Sequence, residues 1–149
     1  MFYMLTYAFM VFGIFSIVIL LGRKGEENLE LENYSGLAYK HPVIALTMTI
    51  FLLSLGGLPP LAGFVAKFYI FSAALKEGYL ILVIIAVLNS AISFYYYLKV
   101  IVFMYMKEPI KEFHINLTPM ILVVIAIAAF GTIQLGIFPD PIIALAEAN

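Results

Sequence analysis

Gly56-Gly57-Leu58-Pro59-Pro60-Leu61-Ala62-Gly63 stands near the middle of an apolar run that extends from Pro42 to Leu75. As one straight helix that run would be about 50 Å long, well beyond the roughly 30 Å of a bilayer's hydrocarbon core. Pro59 and Pro60 lack N–H groups, and each ring clashes with the carbonyl four residues back, which frees the Leu55 and Gly56 oxygens. Leu58 and Pro59 precede prolines and are pushed away from helical dihedrals. Gly56 and Gly57 remove further helical preference. The segment is expected to be unwound or sharply kinked at Gly56–Pro60. A proline kink that only helps packing would carry the same local sequence, so the break alone does not decide what the chain does.

Three other stretches are long enough to cross a bilayer: Phe2–Leu21, Leu80–Met106 and Leu117–Phe138. Backbone polar groups cannot be left bare in lipid, and the alternation of strands is absent, so four transmembrane helices are expected, with span 42–75 discontinuous. Composition agrees. The chain of 149 residues is 64% hydrophobic and 11% charged, with a mean hydropathy of +1.08, and a soluble domain would need more polar surface. The apolar run that begins the chain is too long for a signal peptide's core and is followed by no small-residue cleavage site. A chain that starts directly inside a span is expected to be a fragment.

Several functions are disfavoured. Zero cysteines exclude disulfides, thiolate zinc sites and cysteine-held iron–sulfur clusters. His41 and His114 both sit beside loops, which argues against a bis-histidine haem inside the membrane. No glycine-rich phosphate loop follows a strand-like segment. The hydropathy argues against nucleic acid as a partner. No metal or cofactor is expected in this chain, and any linked redox chemistry must occur elsewhere.

The connections set an orientation. Gly22–His41 and Lys107–Asn116 contain Arg23, Lys24, Lys40, Lys107 and Lys111, whereas the turn Lys76–Tyr79 holds Lys76 alone among basic residues. The positive-inside rule then predicts cytoplasmic loops at 22–41 and 107–116 and an outward C-terminus. The acidic residues of the first loop, Glu26, Glu27, Glu30 and Glu32, count little under that rule. A solvated loop is the simpler expectation there. Beyond Pro139, Asp140 as N-cap and Pro141 at the first helical position suit a surface helix over 141–148.

Lys67 carries the functional argument. It lies ten residues before Glu77, hence about 15 Å from the outer boundary along a helix, close to the midplane. A lysine at that depth costs at least roughly 2.5–3.5 kcal/mol on insertion scales and marks a functional site. Its face also holds Pro60, Gly63, Phe71 and Ala74, and Gly63 leaves room for another helix or for water. Burial disfavours a charged amine and a nearby carboxylate favours it, so a lysine between these pulls can gain and lose a proton. The alternative is a structural ion pair with an absent chain. Discontinuous helices of this kind line the ion sites of many transporters.

Secondary positions remain open. Asn89, Ser93 and Tyr96 form a polar stripe on one face of the third span, either for interhelical hydrogen bonds or to wet a route to Lys67. Lys99 follows Tyr95-Tyr96-Tyr97 and is either a snorkelling interfacial residue or a cytoplasmic proton entry. Tyr3, Thr6, Met10 and Gly13 share a side of the first span, read as packing.

Three runs together resemble a known family: Glu27-Asn28-Leu29-Glu30-Leu31-Glu32-Asn33-Tyr34-Ser35-Gly36-Leu37-Ala38, Gly57-Leu58-Pro59-Pro60-Leu61-Ala62-Gly63-Phe64-Val65-Ala66-Lys67-Phe68-Tyr69, and Tyr95-Tyr96-Tyr97-Leu98-Lys99-Val100. Their order and spacing are similar to subunit N of proton-pumping NADH:quinone oxidoreductase, respiratory complex I. The resemblance implies an all-α, antiporter-like fold of two inverted repeats, each with a broken helix, of which these spans form the C-terminal part. It implies that Pro59 and Pro60 form the break and that Lys67 relays protons toward the exit. It further implies a non-redox subunit of a translocase in a bacterial inner membrane, without NADH, flavin, iron–sulfur or quinone sites. Its partners would be the other membrane subunits of complex I and the missing N-terminal half, which the chain would need as a fragment or split-gene product. A multi-subunit sodium/proton antiporter and a structural membrane scaffold are the competing readings.

Overall fold

The computed structural model describes residues 2–22, 30–110 and 118–138. Helix α1 spans Phe2–Leu21, α2 Leu37–Lys40, α3 Pro42–Gly56, α4 Ala62–Lys76, α5 Leu80–Met106 and α6 Pro119–Ile137. Among the described residues α1, α5 and α6 are long and apolar enough to cross a membrane. The 15-residue α3 and the 15-residue α4 divide the remaining span between them. The expected run 42–75 is therefore two helices, separated by residues 57–61. The fourth span is a little shorter than expected, because Thr118 is extended and Pro119 opens the helix at its first position. The surface helix expected over 141–148, and residues 23–29 and 111–117 of the longer connections, lie outside the described residues.

The helices are apolar on every side, so small residues decide which faces meet. Gly13 of α1 receives the Phe51 ring of α3, which is fully buried, and Gly131 of α6 lies against the Phe9 ring of α1. On α1 the buried face carries Thr6, Met10, Gly13, Ile17 and Leu20, a helical repeat that includes most of the side read as packing from sequence. Thr6 satisfies its hydroxyl locally by donating to the Phe2 carbonyl at 2.9 Å. One core gathers Ile17, Leu37, Met48, Phe51, Met104 and Ala128, and a second joins Phe2, Ala62, Ala66 and Leu135 around the start of α4.

In the loop before α3 the described residues Glu30 and Glu32 are exposed, and the chain turns inward after them. Leu31–Tyr34 forms a 3-10 turn, and Tyr34, Ser35 and Leu37 are buried. Gly36, at φ 70°, donates its N–H to the Phe103 carbonyl of α5 at 3.1 Å. A Cβ at Gly36 would lie 2.5 Å from the Pro109 nitrogen. The end of the first connection is thus docked on the end of α5 and the start of the second connection. Burying Tyr34 and Leu37 stabilises this docking. At the opposite end of α5, Gly78 at φ 83° closes the short turn between α4 and α5.

Candidate functional site at the helix break

A helix end leaves four carbonyls without intrahelical donors, and at the end of α3 each can be followed. Gly57 is left-handed, with φ 87° and ψ 38°. Its N–H donates to Ser54 O at 2.9 Å and to Leu53 O at 3.1 Å, while Leu58 N–H donates to Leu53 O at 3.0 Å. This is a Schellman termination, which needs a residue comfortable at positive φ where glycine stands. Leu53 and Ser54 are satisfied by it. Leu55 and Gly56 are not, because the residues four positions on are Pro59 and Pro60.

Lys67 satisfies them. Its Nζ donates to Leu55 O at 2.9 Å and to Gly56 O at 3.3 Å. The cation also sits at the negative end of the α3 dipole. The lysine stem runs past Gly57, where a Cβ would be 3.3 Å from the Lys67 Cδ. Among the described residues no acidic side chain pairs with Lys67, so the neutralising partners visible here are backbone dipoles.

The far side of the break is capped from α3. Ser54, fully buried, accepts the Gly63 N–H on its Oγ at 3.1 Å. This meets one of the N–H groups that the first turn of α4 cannot pair internally. Gly63 was expected to leave a gap for another helix or water. The occupant is α3, since a Cβ there would collide with the Ser54 carbonyl. Gly136 of α6 packs on the break backbone, its virtual Cβ 2.6 Å from Pro60 O and Ala62 N. The Pro59–Pro60 peptide bond is cis.

Beside Lys67 lies a cleft of about 380 Å³ walled by Phe64, Phe68 and Phe71 of α4 and by Val83, Val87 and Ser90 of α5. The α5 face that lines this cleft is not the one that carries the polar stripe. Asn89 and Tyr96 are exposed, and Ser93 Oγ donates to Asn89 O within α5 at 2.9 Å. None of Asn89, Ser93 and Tyr96 lines the cleft. Lys99 is exposed on α5 and does not line it either. Sequence reasoning missed Ser54, Ser72, Ser90 and Phe94, of which Phe94 packs directly on Gly56. Hydroxyls and rings on uniformly apolar helices give no periodic signal, although Ser54 is the only hydroxyl-bearing residue in the last turn before the break.

Residues 1–93, which include the break, Lys67 and Ser90, match the family described as NADH:quinone oxidoreductase/Mrp antiporter, TM. The chain belongs to that family. As an antiporter-family chain with membrane-length helices it is an integral membrane protein. It resembles NADH-quinone oxidoreductase subunit N of Trichlorobacter lovleyi, with 48% identity over 99% of this chain and 30% of the relative. It resembles subunit N 2 of Rhizobium meliloti at 44% identity over 100% of this chain and 31% of the relative. A chain in the structure of respiratory complex I from Thermus thermophilus with bound aureothin superposes with a TM-score of 0.82 at 30% identity, over 93% of this chain and 32% of that one. The antiporter-family chain thus spans about a third of the length of these relatives.

Proposed function

We propose that this chain serves proton translocation as the C-terminal part of a subunit N, driven by electron transfer from NADH to quinone in other subunits. The observation that carries the reading is the Lys67 ammonium held by the Leu55 and Gly56 carbonyls at a helix break. The carbonyls and the α3 dipole stabilise the protonated amine. A position within the bilayer penalises the same charge. With the two effects opposed, small changes nearby shift the amine between protonated and neutral forms, as a relay requires. Likeness to subunit N over nearly the whole chain supports the redox-linked role and the other membrane subunits as partners, and the distribution of basic residues supports an outward C-terminus.

The test uses the full subunit assembled in its enzyme and reconstituted in vesicles. Lys67→Met is expected to abolish NADH-driven proton uptake while leaving assembly intact, and Lys99→Ala to cause a milder loss. Unaltered pumping by Lys67→Met would leave only a scaffold role. The family description also names Mrp antiporters, which supports sodium/proton exchange as a second reading. Exchange driven by a sodium gradient, without NADH or quinone, would favour it.

A further inference from the structure

Two cavities flank the break. One is the Lys67 cleft. The other, of about 190 Å³, is lined by Gly56, Gly57, Leu58, Ser90, Ala91 and Phe94. The linings share Gly56, Gly57 and Ser90. Two of these are glycines, so Ser90 is the one side chain on both walls that can hydrogen-bond. Along α5 the Lys67 cleft runs from Ser90 toward Val83, and the second cavity runs from Ser90 toward Phe94. Ser90 therefore stands where the two compartments meet.

Its hydroxyl is also unspent. Helical Ser and Thr side chains commonly donate to the carbonyl four residues back. Thr6, Thr47, Thr49, Ser93 and Thr132 do so here, at 2.7–2.9 Å. Among the described residues Ser90 Oγ has no such bond, and neither does Ser72 Oγ in the same cleft. A hydroxyl both donates and accepts, so one left free between two water-sized spaces can pass a proton without a net change of its own.

Building on the role of Lys67 proposed above, we propose that Ser90 passes protons between the second cavity and the Lys67 cleft. A hydronium in the second cavity gives a proton to the Ser90 oxygen and becomes neutral water, as the hydroxyl's own proton leaves to a cleft water, which takes up the positive charge. That water then protonates the neutral Lys67 amine, whose lone pair forms the new N–H bond. Ser90 ends as it began, and one positive charge has moved to Lys67.

The experiment uses the isosteric pair Ser90→Thr and Ser90→Val in the assembled enzyme, with Lys67→Met alongside. Ser90→Val is expected to lower proton pumping about a hundredfold, the lower end of what a lost proton-transfer group costs, with the deficit growing as pH rises and donors become scarce. Ser90→Thr is expected to restore most of the rate. Equal pumping by the two variants, or equal loss in both, would overturn the assignment, because only the hydroxyl distinguishes them. If Lys67→Met stops pumping while Ser90→Val does not, the Ser90 step alone fails. If Lys67→Met pumps normally, the reading beneath it fails.

Discussion

Lys67 Nζ lies 2.9 Å from the carbonyl oxygen of Leu55, twelve residues upstream and across an interrupted helix. One side chain is thereby both the charge in the membrane and the cap of the half-helix before it. Protonation and the geometry of the break are physically linked, since losing the charge weakens the bonds that hold the end of α3.

Lys67→Met and Lys67→Arg should separate these two tasks. Methionine leaves the Leu55 and Gly56 carbonyls without donors, at a cost of about 1–3 kcal/mol, and abolishes translocation. Arginine supplies donors but resists deprotonation. We expect it to retain more thermal stability than methionine and to be equally inactive. Thermal unfolding and vesicle acidification on the same preparations check both outcomes.

Ser54→Ala removes the acceptor for the Gly63 N–H. That amide is buried, so the expected destabilisation is about 1–3 kcal/mol. Amide hydrogen exchange should be faster at the start of α4 and unchanged in α6. Unchanged protection at Gly63 would count against the cap.

Glycine replacements along the chain are expected to form a graded series. Gly78→Ala meets only its positive φ, because nothing lies within 4 Å of the added methyl, and should cost about 1–2 kcal/mol. Gly57→Ala adds a contact on the Lys67 stem and should also impair translocation. Gly63→Ala forces a methyl into the Ser54 carbonyl, which is backbone and cannot give way, so the assembled subunit should be largely lost. The yield of assembled complex and its pumping rate report the order.

Tyr34 supplies a pH dependence outside the spans. Burial pushes its phenol up from the ordinary 10.0. A folded value above the unfolded one gives stability that is fully present below about pH 10 and lost as pH rises through the folded value. Docking of residues 34–37 on α5 should therefore weaken in that alkaline window. Hydrogen exchange at Gly36 would register the loss, and Tyr34→Phe should suppress its pH dependence.

Much of the site could be read in advance, and the reason is chemical. Pro59 and Pro60 cannot donate, so Leu55 and Gly56 had to be the unpaired carbonyls whatever the fold. What could not be read was the donor. The sequence did not name a partner for Lys67, and among the described residues two backbone oxygens accept from it. The stripe Asn89, Ser93 and Tyr96 obeys helical spacing, but spacing gives relative azimuth within α5 and not the direction of the break. That Tyr34 and Leu37 are buried could not be read either, since it depends on the core they share with Met104 of α5.

The sequence by itself determined the all-helical membrane class and the position of the break. Hydrocarbon demands that every backbone polar group be paired, and a proline is a local, unavoidable exception to that pairing. The tertiary structure alone decided that Lys67 reaches back to α3, that Ser54 caps α4, and that Ser90 rather than Ser93 faces the cleft. Helices apolar on all sides carry no hydrophobic stripe to orient them. Their rotation is set by where Gly13, Gly56, Gly63 and Gly131 let a neighbour approach.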